Sequence, residues 1–141
     1  MKRNKAVILA VILSIGLSGC NSRNEKAITR EESVAREGNY TQISMDEAVK
    51  MMEEETDYII LDVRTPEEFA QKHIPEAINI PNETIGDAAI SELPRKEQKI
   101  FVYCRSGNRS KQASEKLAAS GYTNVYEFGG INEWNGETVS E

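Results

Sequence analysis

Two cysteines and one histidine in 141 residues are too few for a multi-thiolate metal centre or a disulfide framework. No repeat or low-complexity tract is present, and an aromatic content of 6% beside 39% hydrophobic and 28% charged residues excludes a collagen-like or polytopic membrane chain. The apolar run from Ala6 to Leu17 stops short of the about 20 residues a membrane-spanning helix needs. Basic residues are outnumbered by acidic ones. From Cys20 onward, fourteen basic face twenty-three acidic side chains, which excludes a nucleic-acid-binding surface. The remaining length suits one compact acidic domain.

What is present begins with an address. Lys2, Arg3 and Lys5 precede the apolar run, the layout of an export signal over residues 1–19. The run ends in Leu17-Ser18-Gly19-Cys20, which resembles the lipobox of bacterial lipoproteins and implies that Cys20 becomes a lipidated first residue. A lipid anchor on Cys20 would hold the chain to a membrane on its extracytoplasmic face, leaving one free thiol in the mature protein. An ordinary cleavable signal beside an incidental cysteine is the competing reading. Residues 20–39 are polar, with Ile28 and Val34 as isolated apolar positions, and read as a tether to a domain over residues 40–141.

Within that domain, Ser44-x-x-Glu47 has capping-box spacing, and Met45, Ala48, Val49 and Met52 recur at helical intervals, predicting a helix from Met45 to about Glu54. Tyr58 to Leu61 reads as a buried strand that delivers Asp62 and Arg64 at its end. Thr65-Pro66-Glu67-Glu68 opens a second capped helix, and Ala77 to Ile80 forms another strand. Ile85, Ala88, Ala89 and Leu93 mark a weaker helix. Lys99 to Tyr103, a helix over Ser110 to Ser120 stopped by Gly121, and a strand over Asn124 to Phe128 complete the pattern. Strands alternating with helices predict an α/β fold on a parallel sheet, whose ligands bind beyond the carboxyl ends of the strands. Asp62, Arg64 and Cys104 all fall there.

Cys104-Arg105-Ser106-Gly107-Asn108-Arg109-Ser110 joins a buried strand to a helix. Its backbone N–H groups can curl around the sulfur while the helix N-terminus and two guanidinium groups favour the thiolate over the thiol. A buried structural cysteine is the plainer reading, but it explains neither the arginines nor the glycine. Cys104 is therefore expected to be a nucleophile, with no metal and no cofactor.

From about Ile43 to Trp134 the chain resembles a single-domain rhodanese, a member of the sulfurtransferase family. The resemblance rests on Tyr58 to Phe69 (YIILDVRTPEEF), His73 to Pro81 (HIPEAINIP), Val102 to Ser110 (VYCRSGNRS), and Gly121-Tyr122 through Gly129-Gly130 to Trp134. It implies a three-layer α/β/α domain with a mostly parallel five-stranded sheet. Lys72 and Glu76 stand where the family often has glycines, in a turn where altered geometry or partner contacts are expected. His73 reads as a hydrogen-bonding turn residue and Trp134 as part of the core or the loop's rim.

The resemblance further implies that Cys104 attacks a sulfane sulfur, that sulfite leaves when thiosulfate is the donor, and that a Cys104 persulfide passes its outer sulfur to a thiol or cyanide. Main-chain N–H groups from Arg105 through Ser106, Gly107 and Asn108 to Arg109 would hold the sulfur anion. The Arg105 and Arg109 side chains would receive a small anionic donor, and Asp62, with Arg64, would support them. Cys104 and Arg109 are five positions apart. Cysteine phosphatases place the arginine one position later, in a wider loop suited to phosphate. A monomer is expected, and a non-catalytic binding module anchored to the membrane is the alternative function.

Overall fold

A computed structural model describes residues 40–86 and 88–141; the export signal over 1–19, the tether over 20–39 and Cys20 lie outside the described residues. The described residues begin with strand β1 (Thr41–Gln42), helix α1 (Met45–Glu54), strand β2 (Tyr58–Asp62), helix α2 (Pro66–Gln71) and strand β3 (Ile78–Asn79). Strand β4 (Lys99–Cys104), helix α3 (Asn108–Ala119) and strand β5 (Asn124–Gly130) follow. The five strands form one sheet in the order β1-β5-β4-β2-β3, with every pairing parallel. The α/β class and the five-stranded sheet match the expectation.

Alternation along the strands makes the layers. Ile100, Val102 and Cys104 of β4, with Leu61 and Val125, pack with Ala113 and Leu117 of α3. Phe101, Tyr103, Ile60 and Phe128 point the other way, to Ala48 of α1 and Phe69 of α2. A period of two puts neighbouring residues on opposite faces, so a continuously apolar strand requires a helical layer on each side.

Both capping boxes form. The Ser44 hydroxyl accepts from Glu47 N while Glu47 accepts from Ser44 N, and Thr65 and Glu68 do the same at α2. Helix α3 ends in a Schellman arrangement, with Tyr122 N donating to Leu117 O at 3.1 Å and Gly121 N to Ala118 O at 3.0 Å.

Three expectations change. The described residues between 85 and 93 contain no helix: Ile85 and Leu93 are buried, but Ala88 and Ala89 are exposed. Two alanines add little buried area, and Gly86 costs a helix about 1 kcal/mol, so core contacts at the two ends decide the path. The strand expected over Ala77 to Ile80 pairs only through Ile78–Asn79. Helix α3 begins at Asn108, two residues earlier than expected, because Gly107 takes the left-handed conformation at φ 104° and acts as its N-cap. The earlier start brings the helix N-terminus against Cys104.

The turn before β3 accommodates both non-glycine residues. Lys72 is extended, whereas Glu76 sits at φ 66°, in the left-handed region that favours glycine. His73 is buried there, its Nδ1 2.8 Å from Phe69 O and its ring stacked on Phe69 at 3.8 Å. It has the structural role that the sequence indicates. Trp134 borders the α1 side of the core and donates from Nε1 to Glu137 O.

Candidate active site

Cys104 ends β4 at the carboxyl edge of the sheet and is 1% exposed. The following loop turns its amides toward the sulfur: Gly107 N donates to Sγ at 3.1 Å, and Sγ lies 3.4 Å from Ser110 Oγ. Burial pushes the thiol up, but the Ser110 hydroxyl and the N–H groups of Ser110, Gly107 and Ser106 outweigh it, holding the thiol below its ordinary range. Arg105, Ser106 and Asn108 are exposed around this bowl.

The bowl depends on a close approach from β5. A Cβ on Gly130 would lie 2.2 Å from Arg105 O and 2.6 Å from Ser106 N, so any larger residue would displace the loop. A register shift between Val102 and Cys104 lets β5 make this approach, since Val102 pairs with Glu127 but Cys104 with Gly130. Asn132 N then donates to Arg105 O at 3.3 Å.

The arginines divide unequally. Arg64 pairs with Asp62, not with the loop: Nη2 lies 2.6 Å from Oδ2 and Nε 3.0 Å from Oδ1, with both residues buried. Arg64 Nη2 also donates to Lys72 O at 2.5 Å, tying the end of β2 to the turn after α2. Tyr103 completes this network by accepting from Ile74 N at 3.1 Å; burial, with the bond to and charge of Asp62, pushes its phenol well above the ordinary range.

Arg109 makes a two-pronged pair with Glu68 of α2, Nη1 to Oε2 at 2.7 Å and Nη2 to Oε1 at 2.9 Å. The pair links a helix from each face across the strand ends. By sequence Glu68 is a capping residue; its position opposite the cysteine loop is what selects it as Arg109's partner. The Arg109 bond, aided by Thr65 N, holds the Glu68 carboxyl at about 2, below its ordinary 4.5. A carboxyl depressed on folding stabilises the fold above its unfolded value and loses that contribution as pH falls through the folded value. Thermal unfolding should therefore show stability declining from about pH 5 toward pH 2, with a shallower decline in Glu68→Gln.

A cavity of about 410 Å³ lies beside the loop, bordered by Arg64, Glu68, Lys72, Arg105 and Asn132. Arg64 and Glu68 already have partners, so exposed Lys72 and Arg105 supply its available positive charge.

Two residues beneath the loop were not recognised from sequence. Ser110 and Glu127 are both fully buried, and Ser110 Oγ lies 2.6 Å from Glu127 Oε1. The available signal was a carboxylate two places from Val125, on the inward parity of an otherwise apolar strand.

At the carboxyl edge of its parallel sheet the fold presents a buried cysteine whose sulfur accepts from the Gly107 amide of the following loop. Residues 44–137 match the rhodanese-like domain, and the chain belongs to that family. It is 40% identical over 73 residues to thiosulfate sulfurtransferase PspE of Escherichia coli K12, spanning 52% of this chain and 70% of that protein. It is 43% identical over 79 residues to a sulfurtransferase of Allochromatium vinosum, spanning 55% and 72% respectively. A solved rhodanese with anions from E. coli superposes with a TM-score of 0.55 at 36% identity, covering 60% of this chain and 99% of that one. This homology supports a general role in sulfur-transfer catalysis.

Proposed function

We propose that this protein moves sulfane sulfur from thiosulfate or a persulfide donor to a thiol or cyanide, through a persulfide on Cys104. The Cys104 thiolate attacks the outer sulfur of thiosulfate, the sulfur–sulfur bond breaks, and its electron pair leaves with sulfite. The persulfide's terminal sulfur then bonds to the acceptor and Cys104 regains its thiolate. The observation that carries this reading is the sulfur held 3.1 Å from Gly107 N in a loop whose donors favour the anion. The same amides that stabilise the thiolate are positioned to stabilise the persulfide anion. Lys72 and Arg105 bring an anionic donor to the loop through the adjoining cavity.

This activity is carried outside the cytoplasm, on a lipid anchor at Cys20. Support comes from Lys2, Arg3 and Lys5, the short apolar run, and the small residues before Cys20. Two measurements test the two halves. Intact mass after thiosulfate should show one added sulfur atom that cyanide removes, and an unchanged mass would overturn the chemistry. The mature N-terminal peptide from cell membranes should begin at a lipid-modified Cys20; an unmodified N-terminus would overturn the anchor.

A further inference from the structure

The chain of hydrogen bonds under the cysteine loop has a property that the sulfur-transfer reading does not use. Ser110 Oγ lies near Cys104 Sγ at 3.4 Å, Glu127 Oε1 at 2.6 Å, Gly107 O at 2.9 Å and Gly129 O at 3.3 Å. A hydroxyl carries one proton. Glu127 Oε1 also accepts from Gly129 N at 2.8 Å, whereas Oε2 is buried with no hydrogen-bond partner among the described residues. Two anions joined by one hydroxyl, out of contact with water, cannot both receive its proton. If Cys104 and Glu127 were both ionised, one would face an oxygen lone pair in a low-dielectric interior.

We infer that at neutral pH Cys104 and Glu127 share a single proton through Ser110, so that Glu127 holds the proton when Cys104 is a thiolate there. With the thiol protonated, the chain runs Sγ–H to Ser110 Oγ and Ser110 O–H to Glu127 Oε1. In the reverse direction, the Sγ–H bond breaks as Ser110 Oγ takes its proton, and the proton already on Ser110 passes to Glu127 Oε1. One negative charge is present before and after, and no proton crosses to solvent. The nucleophile is thus generated without placing a second charge beneath the loop. Glu127 acts through Ser110 and is a positioning residue.

The titratable groups packed around this chain leave that charge count intact. Arg109 of α3 senses Cys104 but is paired with Glu68 of α2. Tyr103 follows the other parity of β4 and serves Asp62 and Ile74, Tyr40 beside β1 belongs to the Cys104 side of the core, and Arg105 is exposed.

Infrared difference spectroscopy of the purified full-length protein at neutral pH, before and after Cys104 is alkylated with iodoacetamide, tests the inference. Alkylation turns the sulfur into a neutral thioether, after which Glu127 has no anionic neighbour and releases its proton. The expected result is loss of a protonated-carboxyl stretch and gain of carboxylate bands. Glu127→Gln should remove this change, and Cys104→Ser should lack the protonated band from the start, so either variant assigns it if the other fails to fold. Alkylation of the Cys104 peptide, followed by mass against pH, should rise in two steps in the wild type and in one step in Glu127→Gln. A carboxyl region unaltered by alkylation, or a single step in both proteins, would overturn shared protonation. The catalytic consequence rests on Cys104 being the sulfur carrier, but thiol titration does not: a two-step profile without a thiosulfate adduct would reject sulfur transfer and retain the shared proton.

Discussion

Cys104→Ser is expected to lose thiosulfate-dependent sulfur transfer by more than about 10³-fold while keeping a folded sheet. A serine hydroxyl fits beneath Gly107 N and beside Ser110 Oγ, so the loop geometry survives. The donors that bring the thiol into an ionisable range cannot ionise an alcohol at neutral pH, and no persulfide can form on oxygen. Turnover with thiosulfate and cyanide, read alongside circular dichroism, checks both halves. Retained turnover in a folded variant would move the nucleophile away from Cys104. The sulfur is poorly exposed in the resting structure, but the exposed Arg105, Ser106 and Asn108 form a surface through which a small anion can approach.

The second large effect is on stability. Asp62→Ala leaves the Arg64 guanidinium buried, with only Lys72 O as a hydrogen-bond acceptor among the described residues, and also removes one of the two partners of the Tyr103 hydroxyl. Breaking one side of a buried ion pair costs about 3–5 kcal/mol, enough to lower the melting temperature of a domain this size by at least about 12 °C. Replacing both partners with apolar residues, as in Asp62→Leu with Arg64→Met, should recover much of the loss because no charge is stranded. Calorimetry on the single and double variants distinguishes this from simple loss of packing, for which the double variant would be no more stable than the single. Sulfur transfer should fall in the single variant through misplacement of the strand end, since neither residue bonds to the loop.

Much of this architecture could be read locally. The capping boxes at Ser44 and Thr65 depend on contacts three residues apart, and the run from Lys99 to Tyr103 requires burial on both faces wherever it lies. The cysteine loop was legible for the same reason: Gly107, the sulfur and the start of α3 are within a few residues of one another. Residues 85–93 misled because a helical spacing with two alanines binds too little core to hold a helix. The partners of the charged side chains were also hidden. Arg109 could have met Asp62 or Glu68, and only the approach of α2 to the strand ends selects Glu68.

The sequence by itself determined an α/β chain with a cysteine at a strand–helix junction, because these are properties of period, capping and neighbours along the backbone. The tertiary structure decided which charges meet, how closely Gly130 presses on the loop, and that a buried carboxylate at Glu127 lies one hydroxyl away from the sulfur. Most of these contacts join residues more than fifteen positions apart through sheet register and helix packing, and an electrostatic interaction depends on where its groups come to rest in space.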